Sequence, residues 1–280
     1  MNQFTKLIAA QLNLREQAVE NTLALLEEGC TIPFISRYRK EKTGNMDEVN
    51  IEAIAQANDK FKEMAKRKET ILKTIDEQGK LTDELKKRIE NCWDATELED
   101  IYLPFKPKRR TRAQVAREAG LEPLAQLILL QRDNNPMQTA KKFVGEKVKD
   151  VEAAIQGAKD IIAETISENE FTRNSVRQRY KHGAVITSKV IAKKKDEEEA
   201  QRFSDYFDFS EPLKKCSSHR LLAMRRGEAA GFLRVSISCD EEEATDRLKQ
   251  RYVRGNGEAS KMVAEAVDDA FKRLVNPSIE

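Results

Sequence analysis

Residues 47–79 read DEVNIEAIAQANDKFKEMAKRKETILKTIDEQG, and this stretch decides the fold class. Asp47, just after Gly44-Asn45, is placed to cap a helix, and Gly79 is placed to stop it. Between them, positions 51, 54, 58, 61, 65, 68, 72 and 75 advance in steps of three and four. They carry Ile, Ile, Asn, Phe, Ala, Lys, Leu and Ile. Such a mostly apolar, coiled-coil-like stripe predicts one long helix to about Gln78, packed along one side as a strut.

Helical patterns continue on both sides of the strut. Phe4, Leu7, Ile8 and Leu12 share one helical face, and Leu14-Arg15 turns into a second helix ending at Gly29. Pro33 occupies the first turn of a short helix reaching about Lys40. Thr82 starts a helix ending near Trp93. Thr96-Glu97-Leu98-Glu99 and Thr111-Arg112-Ala113-Gln114 both match the capping box, so helices should begin on each side of the segment between them. Gly120 ends the second of these, Pro123 and Asn135-Pro136 open two more, and residues 151–181 continue the helical pattern.

The texture changes at Gly183. Residues 184–191 and 232–238 have the β-branched content or the alternation of strands, with helical segments at 196–206 and 218–226 between them. Two more helices follow, broken at Gly255-Asn256-Gly257. The fold class is therefore mainly α and multi-helical, with helix-turn-helix-like units, one long strut helix and a small α/β element near 183–240. The organisation expected is a helical domain at 1–182, the α/β element at 183–240 and a helical segment at 241–280, whose ending reads as a truncation.

Composition supports a helical protein with long solvated faces: 35% of the 280 residues are charged, 6% are aromatic and only 11 are glycine. The formal charge is +2, so any nucleic-acid contact must come from local clusters rather than from a global field. The four cysteines, at 30, 92, 216 and 239, form no C-x-x-C pair, which argues against disulfides and structural zinc and fits a reducing cytoplasm. No apolar run approaches membrane-spanning length, so no membrane partner is expected.

Two basic clusters are the candidate sites. Lys106, Lys108, Arg109, Arg110 and Arg112 fall within seven residues beside two prolines, on a segment that cannot be one face of a helix. They suit successive phosphates, or else they pair with Glu97, Glu99, Asp100 and Glu118 as a solvated joint. Arg37, Arg39 and Lys40 surround Tyr38, whose ring suits base stacking if exposed; its spacing from Phe34 suggests instead that both rings face the core. The helix-turn-helix-like units at 5–28 and 112–130 are packing units. The second helix of the first is acidic, and residues 124–130 are apolar nearly all round and belong inside. Cys216-Ser217-Ser218-His219 supplies at most half a metal site. No Walker A, G-x-G-x-x-G or G-x-S-x-G pattern is present, and no cofactor or catalytic constellation is expected.

Residues 33–41 (PFISRYRKE), 71–82 (ILKTIDEQGKLT) and 96–123, with 206–215 (YFDFSEPLKK), Ser218-His219-Arg220 and Arg225-Arg226-Gly227, resemble the N-terminal region of the bacterial Tex family of transcription accessory proteins. The resemblance covers most of the chain. It implies a helical N-terminal region preceding an RNase H-like domain, helix-hairpin-helix units and a C-terminal OB-fold that carries the main RNA or DNA binding. On that reading the chain is a non-enzymatic scaffold that docks transcription machinery or positions domains, with weak phosphate contact of its own. A purely structural role, or membership of a nuclease whose active site lies beyond residue 280, stays open.

Overall fold

The computed structural model describes residues 2–107 and 110–280, which divide into two compact units, 1–106 and 107–280. The fold class is as expected, mainly helical with one small sheet.

The first unit is organised by the strut. Helices α1 (Thr5–Leu12), α2 (Glu16–Glu27), α3 (Ile32–Tyr38) and α4 (Lys40–Thr43) precede α5 (Glu48–Glu77); α6 (Asp83–Asn91) and α7 (Ala95–Tyr102) follow it. Asp47 accepts a hydrogen bond from the Asn50 amide at 2.8 Å, satisfying a donor that the first turn leaves free. At the other end the chain turns at Gly79, whose φ of +66° favours glycine. The N-terminal half of α5 buries Ile51, Ile54 and Phe61 with Ile8, Leu23 and Ile35. Its C-terminal half buries Met64, Ile71 and Ile75 with Ile89, Leu98 and Ile101.

The stripe is thus legible but displaced on one flank. Positions 54, 61, 68 and 75 are interior as expected, whereas Met64 and Ile71, rather than Ala65 and Leu72, are fully enclosed. The partner helices cover the side that carries the larger side chains. Lys68, on the stripe, is buried, and its ammonium group donates to the Glu90 carbonyl at 2.8 Å and lies 3.2 Å from the centre of the Trp93 ring. Burial pushes its pKa below the usual lysine range. Asp47→Ala should cost about 1 kcal/mol, with most of it restored by Asp47→Asn; urea midpoints of the three proteins measure this.

One sequence expectation for α7 is corrected. Its cap is Asp94, which accepts from the Glu97 amide at 2.8 Å, and Thr96 lies inside the helix.

The second unit comprises α8 (Arg112–Glu118), α9 (Glu122–Leu130), α10 (Pro136–Ala140), α11 (Val151–Glu168), α12 (Glu170–Gly183), β1 (Val185–Val190), β2 (Asp208–Pro212), α13 (Ser218–Ala229), β3 (Leu233–Ser238), α14 (Glu241–Tyr252), α15 (Glu258–Asp269) and α16 (Asn276–Ile279). A π-helical turn, Ala270–Val275, joins the last two. Helix α11 is the centre of the core, with Ala154, Ala158, Ile161, Ile162 and Ile166 enclosed. A Cβ at Gly157 would come within 2.5 Å of Leu121 Cδ1, so the missing side chain is what lets the α8–α9 turn approach α11.

The sheet order is β2-β1-β3, all antiparallel, with Thr187 opposite Ser210 on one side and Ser236 on the other. Ile186 and Ser188 point inward, and α13 packs against β3 through Gly227 and Leu233. Four expectations change here. The helical stretch at 151–181 is two helices, because Asn169 breaks it and caps the second through the Phe171 amide at 3.0 Å. The segment expected to be helical at 196–206 forms only a 3₁₀ turn, Ala200–Tyr206. Strand β2 has no sequence signal, being a short edge strand that ends in Pro212. Helix α9 buries Leu124, Ala125 and Ile128 but leaves Leu127 and Leu130 exposed, so it is amphipathic in place rather than internal.

Candidate nucleic-acid interface

The first basic cluster lies on α3 and α4. Pro33 sets the start of α3, and a face running through Ile32, Ile35, Ser36, Arg39 and Thr43 turns toward the body of the unit. Ile35 is fully enclosed, and the Ser36 hydroxyl donates to Glu48 Oε1 at 3.2 Å. Phe34 and Tyr38 lie off that face. Tyr38 is 63% exposed and Phe34 36%, contrary to the expectation that both rings enter the core. The i, i+4 spacing does bring them together, with ring centres 5.4 Å apart, but on the solvent side.

Cations frame this pair. The Arg39 guanidinium sits 5.3 Å from the centre of the Phe34 ring and donates to the Tyr38 carbonyl at 3.2 Å. Arg37 and Lys40 line a shallow pocket of ≈ 270 Å³ with Asn45 and Asp47, and Lys42 follows within α4. Asn21 donates to the Lys42 carbonyl at 2.7 Å, which ties α4 down to α2. Among the described residues, no carboxylate forms an ion pair with Arg37, Arg39, Lys40 or Lys42. The corner therefore offers flat apolar faces beside cations that form no ion pair, with the Asp47 and Glu48 carboxylates lining the same pocket.

The second cluster is differently disposed. Lys106 is exposed at the end of the first unit, and Lys108 and Arg109 lie outside the described residues. Arg110 is exposed and pairs with Glu118 at 3.1 Å. Glu99, a possible partner read from the sequence, instead holds Arg67 through two bonds of 2.7 and 3.0 Å. Arg112, at the start of α8, stands beside the buried Asp160.

The Cys216–His219 segment gathers no further ligands: among the described residues no three His, Cys, Asp or Glu side chains converge on a metal position. No helix among the described residues is long and apolar enough to cross a membrane.

What sequence reasoning missed is a half-buried ionic network in the second unit, in which only Glu164 and Asp160 are buried. Arg117 bridges Glu122 at 2.9 Å and Glu164 at 2.8 Å, while Arg273 bridges Asp269 at 2.5 Å and Asp160 at 3.5 Å. The i, i+4 pairing of Asp160 with Glu164 on α11 was the only available hint, and it resembles any solvated helix face.

Comparison with known proteins follows the same division. Residues 2–76 match the family described as Tex-like protein N-terminal domain, and residues 131–274 match Tex central region-like. The chain is 43% identical over 241 residues to Protein YhgF of Escherichia coli K12, covering 85% of this chain and 31% of that one. It is 37% identical over 248 residues to Transcriptional accessory protein Tex of Neisseria gonorrhoeae, covering 89% and 32%. It is 28% identical over 295 residues to S1 RNA-binding domain-containing protein 1 of Pongo abelii, covering 97% and 28%. The chain spans about a third of the length of the curated relatives it matches.

Proposed function

Because this chain belongs to the Tex family, we propose that it forms the helical part of a non-enzymatic, cytoplasmic transcription accessory protein and contacts single-stranded nucleic acid at the α3–α4 corner. The observation that carries this reading is the exposed Phe34–Tyr38 pair set among unpaired cations. Bases stack on such rings regardless of sequence, at about 1–3 kcal/mol per base, and the cations displace counterions from the phosphates. Two relatives carry names that point the same way, one as a transcriptional accessory protein and one as an S1 RNA-binding domain protein. The remaining length of the whole protein would supply the stronger contact with RNA or DNA, and this part would position it and dock transcription machinery.

For the 106–112 run a structural role is favoured at Arg110, whose charge Glu118 already meets. Lys106, Lys108, Arg109 and Arg112 stay candidate phosphate contacts in this proposal, Lys108 and Arg109 lying outside the described residues.

The test is titration of a labelled single strand of about 12 nucleotides, and of a duplex, across a salt series. Tyr38→Ala should weaken single-strand binding about ten-fold with an unchanged salt slope. Arg37→Ala with Lys40→Ala should lower the slope by about 1–1.5. Undiminished binding in both variants would sink the corner as the contact surface.

A further inference from the structure

The second unit presents a helix face that the core does not use. Helix α13 packs on β3 with Met224 and Gly227 turned inward, and a Cβ at Gly227 would come within 2.5 Å of Leu233 Cδ1 and 3.1 Å of Phe203 Cδ1. The opposite side faces solvent, and Leu222 stands at its middle, 56% exposed. The residues three and four positions from it are Ser218, His219, Arg225 and Arg226, all of them exposed. Lys214 and Lys215, in the turn that leads into the helix, are exposed as well. A single exposed leucine is ordinary on a soluble protein; a leucine ringed by cations is a feature with a direction.

The carboxylates nearby are already engaged. Glu228, the acidic residue of α13, accepts from Arg225 at 2.6 Å and from the Val235 amide at 3.2 Å. Glu211 of β2 holds Arg220 at 2.9 Å. The 3₁₀ turn Ala200–Tyr206, which packs on α13, adds one exposed charge of each sign, Arg202 and Asp205. Lys214, Lys215 and Arg226 form no ion pair among the described residues. The face therefore carries a positive rim around an apolar centre. Ser218, one turn before Leu222, and Ala229, two turns after it, are small, so a partner's backbone has room on either side of the leucine.

We propose that the outer face of α13 docks an acidic amphipathic helix of a partner protein, with its apolar stripe on Leu222 and its carboxylates on Lys214, Lys215 and Arg226. The cations select the sign of the partner's charge, and Leu222 selects its apolar stripe. A phosphate backbone would meet the cations but set charged oxygens against the leucine, so a nucleic-acid strand satisfies only half of the face. An apolar anchor at the centre with polar groups at the rim is also the arrangement in which one buried side chain dominates the affinity of a protein contact. The proposal rests on the second unit alone and is independent of the α3–α4 reading; it assigns a surface to the docking role.

The probe is a labelled synthetic peptide of about 18 residues with Leu at helical spacing and Glu and Gln at the other positions, titrated into the full chain. It should bind at low salt with a Kd of about 0.1 mM or below. The same peptide with Lys in place of Glu should bind at least about ten-fold more weakly. Leu222→Ala and Arg226→Glu should each weaken the acidic peptide about ten-fold, while Leu222→Met should bind it as the wild type does. Both side chains are exposed, so the thermal midpoints of these variants should stay close to that of the wild type. Tyr38→Ala should leave peptide binding unchanged, which separates failure here from failure at the corner. A single strand of about 12 nucleotides that displaces the peptide, and whose own binding is lost in Arg226→Glu but kept in Leu222→Ala, would assign the face to nucleic acid and overturn the proposal. No binding of the acidic peptide, equal affinity for the lysine peptide, or equal affinity in wild type and Leu222→Ala overturns it as well.

Discussion

Phe271→Ala is expected to lower the stability of the second unit by about 3–5 kcal/mol, among the largest effects of any single truncation in this chain. Phe271 is fully enclosed, heads the set of the largest buried side chains, and sits on the π-helical turn that joins α15 to α16. That turn packs on α11, the centre of the core, so the vacated volume lies where several helices would all have to shift to close it. The thermal midpoint should fall by about 6–15 °C. Phe271→Leu, which keeps most of the volume, should cost under about 2 kcal/mol. Calorimetry on the three proteins distinguishes a core anchor from a side chain that the surroundings can replace; a shift of under about 2 °C for Phe271→Ala would identify the latter.

Two residues further on, Arg273→Ala should cost about 3 kcal/mol at neutral pH, because it withdraws the cation that Asp160 and Asp269 share. The pH dependence has a definite sign. The folded-state pKa of Asp160 is raised by burial, so its contribution is fully present below the unfolded value and is lost as pH rises through the folded one. Removing Arg273 takes away the main opposing influence and pushes that pKa higher, leaving Arg112 and Gln156 as the remaining favourable neighbours. The Arg273→Ala deficit should therefore shrink between pH 7 and about pH 4–5. Urea midpoints at several pH values would show it. A deficit independent of pH would mean that Asp160 is not the group left exposed to the loss.

Local chemistry was readable because it operates within one or two turns of chain. Asp47 and Thr111 cap the helices their positions indicate, with bonds of 2.8 and 3.0 Å, and Gly79 and Gly120 stop helices at positive φ. The misreading at residues 94–97 is of the same local kind: two capping residues stood two apart, and the structure uses Asp94. The blocks that resemble the Tex family were equally visible, since they are contiguous in sequence.

Tertiary structure decided the rest. Spacing put Phe34 and Tyr38 on one helical face; only the placement of Ile35 and Ser36 against the unit turned that face to solvent. Charge density left Arg110 open between a phosphate and an acidic neighbour such as Glu118, and in the fold Glu118 engages it. Asp160 and Arg273 are 113 residues apart, and no periodicity relates them. The sequence by itself determined where helices begin and end, the long strut and the family, because caps, stops and stripes are local interactions. Exposure, neutralisation and pockets depend on which distant elements cover a residue, and that became visible only once the helices were packed.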